Sequence, residues 1–188
     1  MQTNNFSRRG FMIAAGGAGL SLAACDNGVG SRDGERIDAR VDSTLNYLYS
    51  NYPGARELAE KSTGQLVMPL ITEAGFGLGG AYGRGALRIN GVTVDYYLLA
   101  QASAGLQIGA QQYAHVLFFM TEEALQDFRQ ASGWVASADI KYVFQTEGDR
   151  ISADTITATE PVVAMVFGQA GLIAGASVEG AKYTRIIP

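Results

Sequence analysis

The chain holds one cysteine, Cys25, and one histidine, His115, in 188 residues. No internal disulfide can form, and a zinc site of cysteine and histidine ligands has too few members. Charged residues make up only 17% and the net charge is −4, without the basic stripe of a nucleic-acid footprint. No Gly-Lys-Ser or Gly-Lys-Thr occurs, which excludes a P-loop. No nucleophile elbow accompanies Ser103, so Ser103, His115 and Asp95 make no supported triad. His115 stands between Ala114 and Val116 in an apolar stretch and reads as a core or edge histidine. No catalysis, no metal and no cofactor are expected. What the chain does have is 47% hydrophobic residues, enough for a core and against disorder, and 24 glycines without a collagen period.

The N-terminus reads as an address. Ser7-Arg8-Arg9-Gly10-Phe11-Met12 has the form of a twin-arginine export motif, with Arg8 and Arg9 at its centre. The apolar stretch from Ile13 to Ala24 is too short to span a bilayer comfortably. It ends in Leu22-Ala23-Ala24-Cys25, which resembles the bacterial lipobox. That resemblance implies diacylglyceryl transfer to the Cys25 thiol and cleavage before it. The alternative is an ordinary signal, or a simple anchor, with an incidental cysteine. Residues 1–24 are thus expected to be a lipoprotein signal peptide, and their removal takes the net charge from −4 to −6. Asp26 favours retention at the inner membrane by the rule known from enteric bacteria. Residues 25–36 read as a polar, Gly-rich tether, and residues 37–188 as the folded domain.

Ile37, Val41, Leu45, Leu48 and Tyr52 recur at helical spacing and predict a helix ended by Pro53 or followed there by another. Arg56 to Lys61 predicts a second helix. Leu66 to Ile71 is a short apolar run broken by Pro69. Asn90-Gly91 between apolar flanks is a hairpin signal, with Val92 to Leu99 as the return strand. Ala104 to Met120 is a further extended stretch. Thr121, Glu122 and Glu123 open a helix that Gly133 closes. Trp134 to Phe144 reads as a strand. Val162 to Phe167 and Gly171 to Tyr183 read as a closing hairpin around Gly168-Gln169, although the apolar run with Gly171 and Gly175 also has membrane-helix character. Helices followed by hairpin-linked strands with one inserted helix predict an α+β fold, with a curved, mostly antiparallel, glycine-rich sheet.

Ala74 to Arg88, AGFGLGGAYGRGALR, places Gly75, Gly77, Gly79, Gly83 and Gly85 on one strand parity and Phe76, Leu78, Tyr82 and Arg84 on the other. A bare strand face needs something lying close against it, here a helix or a second sheet layer. The G-x-G-x-x-G at residues 75, 77 and 80 runs on into strand-like alternation and lacks the helix of a dinucleotide fingerprint. Arg84, among glycines and beside Tyr82, is an anion-site candidate. The competing reading is a structural ion pair with Glu73 or Glu179.

These segments together resemble the SYLF-domain family: the glycine strand, Ala104 to Gln111, Val116 to Thr121, and Gly171 to Gly180. The resemblance implies binding of phosphoinositides or other anionic phospholipids through basic residues and an N-terminal amphipathic helix. The helix from Ile37 to Tyr52 carries Asp38 and Asp42 beside Arg40, a departure from a strongly basic pattern. The residues carried over are Tyr82, Gly83 and Arg84, with Arg88 and Lys182. The expected protein is a non-enzymatic phospholipid-binding lipoprotein, anchored through Cys25 and facing the periplasm. The alternative is an envelope scaffold that binds a protein partner.

Overall fold

The computed structural model describes residues 28–136, 140–142, 160–168 and 178–188. Arg8, Arg9, Cys25 and Asp26 lie outside them, as do residues 143–144 of the expected strand and 169–177 of the expected closing hairpin.

Helix α1 spans Arg32–Asn51 and α2 spans Pro53–Lys61. The side chain of Ser31 accepts a hydrogen bond from the Gly34 backbone N–H at 3.0 Å, and Asp33 and Glu35 occupy the first turn. Both features suit a helix N-terminus. The helix therefore starts five residues before Ile37, and the last part of the expected tether, from Arg32 on, is helical. Pro53 opens α2 at its first position, where a missing N–H costs nothing.

Strand β1 runs over Gly64–Ile89 and β2 over Val92–Phe119. They pair antiparallel along nearly their whole length through a tight turn at Asn90 (φ 51°) and Gly91 (φ 78°). Two successive left-handed residues make the turn whose twist matches a hairpin. Segments that read as separate in sequence are thus fused. Pro69 does not end β1, because the register shifts between Met68 and Ile71 and the proline sits in that irregularity. A second shift falls between Phe76 and Gly77.

Helix α3, Glu122–Gln130, is capped by Thr121, whose hydroxyl accepts the Ala124 N–H at 3.2 Å. Strands β3 (Trp134–Val135), β4 (Lys141–Tyr142), β5 (Val162–Phe167) and β6 (Lys182–Ile186) complete the described elements. The expected closing hairpin does not form between β5 and β6. Both pair antiparallel with β2, β5 against Ala114 to Phe119 and β6 against Tyr96 to Ala100, so they run in the same direction. β1 occupies one edge of β2, and β5 and β6 follow one another along the other. Only the short β4 is parallel to its neighbour, β5. The fold is α+β with N-terminal helices and a curled, mostly antiparallel sheet.

Alternate residues of β2 feed two cores. Tyr96, Val116 and Phe118 meet Ile37, Val41, Leu48, Ala55 and Leu58 of α1 and α2 on the outer face. Tyr97, Leu99, Leu117 and Phe119 point inward to Leu125 and Phe128 of α3. Phe128 is the hub of the inner core, with ring centroids 4.6 Å from Tyr97, 4.9 Å from Phe119 and 5.4 Å from Trp134. β5 is buried on both faces, which explains its unbroken apolar run. Among the described residues, no helix is long and apolar enough to cross a membrane.

The bare glycine face is covered by the beginning of its own strand. A Cβ on Gly83 would lie 2.8 Å from the Leu70 carbonyl oxygen and 2.9 Å from Ile71 Cγ1. One on Gly85 would overlap the Val67 carbonyl and sit 2.5 Å from the Met68 sulfur. The curl of the sheet, and not a separate layer or a helix, explains these glycines.

Candidate functional site

Tyr82 and Arg84 stand on the exposed face of β1, opposite in parity to buried Gly83 and Gly85. The Arg84 Nε donates to the Tyr82 hydroxyl at 3.0 Å. No acid pairs with Arg84 among the described residues, so the guanidinium keeps donors free. Glu73 is engaged instead by the Gln111 side-chain amide at 2.8 Å.

Gly83 admits the Leu70 and Ile71 backbone beside Tyr82 and Arg84. The N-terminal half of α1 closes the other side. The result is a cleft of about 510 Å³ lined by Asp33, Arg36, Ile37 and Arg40 of α1 and by Pro69, Leu70, Thr72, Tyr82, Gly83 and Arg84 of β1. Arg36 and Arg40, one helical turn apart, share a side of α1. Arg36 pairs with Asp33 at 3.1 Å, both largely exposed. Such surface pairs are worth at most about 1 kcal/mol, so a ligand anion can compete for the arginine. Arg40 has no ion pair among the described residues. Three guanidiniums, suited to bidentate recognition of phosphate or carboxylate, therefore line one cleft against one carboxylate.

The acids that made α1 look weakly basic are on its other side and already neutralised. Asp42 accepts Arg88 at 2.8 Å, and Asp38 accepts Arg88 at 3.5 Å, Thr93 at 2.6 Å and the Tyr96 hydroxyl at 2.8 Å. Burial and the adjacent Asp38 push the Tyr96 phenol well above its usual range, keeping it a neutral donor. Arg88 also donates to the Gly91 carbonyl at 3.0 Å. Arg88, expected in the site, is thus held by α1 and the turn and does not line the cleft. Lys182 lies two strands from Tyr82 in register, through Ala100. Its stem passes over Gly133, on the side of β6 away from Tyr82, so it does not reach the cleft either. Of the residues expected from sequence, Tyr82, Gly83 and Arg84 come together. Arg36 and Arg40 were missed as site residues. Their signal was the four-residue spacing on a helix whose neighbouring acids have another partner.

The architecture and this cleft define a small α+β domain with a cation-lined groove between its first helix and a long curled hairpin. Residues 100–185 match the family described as Ysc84, a Las17-binding protein actin regulator, a match consistent with the SYLF-domain resemblance of the sequence. The matched segment begins in β2, so α1 and the glycine strand precede it. No curated protein matches the chain.

Proposed function

We propose that the domain binds anionic phospholipid head groups, phosphoinositides among them, in the cleft of Arg36, Arg40 and Arg84, as a periplasmic lipoprotein anchored through Cys25. The observation that carries the reading is the convergence of three arginines, two of them without an acid partner among the described residues, on one open cleft. Tyr82 orients Arg84 and Gly83 sets the cleft wall. The sequence before Cys25 supports export and lipidation. Anchoring at a bilayer would hold the cleft within reach of its ligand.

The full chain carrying Cys25→Ser, which removes the anchor, is expected to float with vesicles of phosphatidylcholine and phosphatidylglycerol but not with phosphatidylcholine alone. Added salt should release it. The double variant Arg40→Glu/Arg84→Glu should lose at least tenfold in vesicle affinity. Lys61→Glu, at a residue that pairs with Glu57 and does not line the cleft, is the charge-matched control for the single variant Arg84→Glu, which should bind more weakly than it. Flotation that ignores lipid charge, or survives the double variant, would sink the head-group reading. For the anchor, intact mass spectrometry of the membrane fraction should show a diacylglyceryl-bearing Cys25 N-terminus, absent from Cys25→Ser. An unmodified, uncleaved chain would refute it.

The family description, which names a protein-binding member, favours a second reading as an envelope scaffold. Crosslinking that recovers one stoichiometric protein partner, together with vesicle binding indifferent to charge, would select that reading.

A further inference from the structure

The cationic cleft does not end at Leu70. A second hollow of about 300 Å³ shares Pro69 and Leu70 with it and continues along α1 over Thr44 and Tyr47 to Ala114 and Phe167. Arg36, Arg40, Ser43 and Tyr47 follow one another at spacings of four, three and four residues, one stripe of the helix. The stripe starts cationic and ends aromatic. The Tyr47 ring stacks on Phe167, centroids 6.0 Å apart and planes within 17°. Leu70 and Tyr47, beside this groove, are 39% and 37% exposed. Eleven residues of helix separate Arg36 from Tyr47, about 16 Å at 1.5 Å per residue. One leaflet of a bilayer's hydrocarbon core is about 15 Å deep.

We propose that the two hollows form one binding groove that takes a whole anionic phospholipid by one acyl chain: phosphate at the arginines, chain laid past Leu70 to Phe167. This rests on the head-group reading and goes beyond it, since a head group alone would leave the end of the groove at Tyr47 and Phe167 empty. The domain would then withdraw a chain from the bilayer instead of resting on its surface. The charge order along α1 fixes the orientation of the lipid. A neutral alkyl compound would lack the anchor, and a soluble phosphate would lack the chain.

The test is titration calorimetry of the full chain carrying Cys25→Ser with butyl, octyl and dodecyl phosphate, each below its micelle concentration. Each buried methylene raises affinity about fourfold, so dodecyl phosphate should bind at least a hundredfold tighter than butyl phosphate. Thr44→Trp, which fills the hollow from the helix surface, should flatten the chain-length series and leave butyl phosphate binding unchanged. Should that variant fail to fold, the series on the parent protein decides alone. Affinity independent of chain length, with anionic vesicles still bound, would overturn the groove and leave the head-group reading. Failure of all three phosphates together with failure of flotation would overturn both.

Discussion

Gly85→Ala is expected to lower the stability of the domain by about 3 kcal/mol, the upper end of what an overpacked core position costs. The added methyl has no space to find: the Val67 carbonyl occupies it, with the Met68 sulfur at 2.5 Å. A flexible side-chain tip could swing aside, but a carbonyl belongs to a paired strand. Relief would require opening the curl that holds the two halves of β1 together. Gly83→Ala should follow the same direction with a smaller cost, since its nearest obstacles lie at 2.8 and 2.9 Å. Gly80→Ala meets only the Gln101 carbonyl, at 3.1 Å, and should be much milder. Urea unfolding followed by far-UV circular dichroism would rank the three. A Gly85→Ala protein as stable as the Gly80→Ala protein would show that the curl is not tight at Val67. The prediction reaches the cleft as well, because the contacts that exclude a methyl at Gly83 and Gly85 also bring Leu70 alongside Arg84.

The second large effect is the loss of stability in acid through His115. Its ring is fully buried. Nε2 and the Tyr183 hydroxyl share a hydrogen bond at 2.9 Å, and Nδ1 has no hydrogen-bond partner among the described residues. Burial lowers its pKa from the ordinary 6.5 to about 3. The unfolded chain therefore takes up a proton near pH 6.5 that the folded chain refuses until about pH 3. Between these values the unfolded state binds more protons, so stability falls as pH falls. The contribution of neutral His115 is complete above pH 6.5 and is lost across the window down to pH 3, at up to about 1.4 kcal/mol per pH unit. Urea midpoints at pH 7.5, 5.5 and 4.5 should decline steeply. His115→Gln, which does not titrate but can still meet Tyr183, should show a shallower decline. Parallel slopes for parent and variant would remove His115 as the cause.

Local chemistry was legible in the sequence where one or two residues decide it. Asn90-Gly91 specifies its turn because both residues tolerate positive φ. Thr121 caps α3 through its own hydroxyl. The glycine parity correctly implied close approach. What lay across the bare face was not legible, because it depends on a curl that brings Val67 to Gly85 along one strand. Pro69 suggested a break because a proline cannot serve a regular ladder; a register shift absorbs it. The pairing of β5 and β6 misled for a different reason. Two apolar segments separated by glycine look like a hairpin, but Val162 to Phe167 pairs with β2, and so do Lys182 and Tyr183 at the end of the other expected arm, whose residues 171–177 lie outside the described ones. In the site, Tyr82 to Arg84 could be read from one segment. For Arg36 and Arg40 the helical spacing could be read, but not that Asp38 and Asp42, on the other side of α1, are held by Arg88 from β1.

The length of β2 imposes an order of events on a chain that is still folding. Its first edge closes at once, through a two-residue turn. Its second edge waits for partners far away in sequence: Phe119 pairs with Val162, and Tyr96 with Ile186. Closing such distant pairs is slow. Throughout that delay the strand offers a row of unpaired N–H and C=O groups to any neighbouring chain. The first half of the domain is therefore a hazard until its second half arrives, and whatever handles the nascent protein must shield one side of a single strand for that interval.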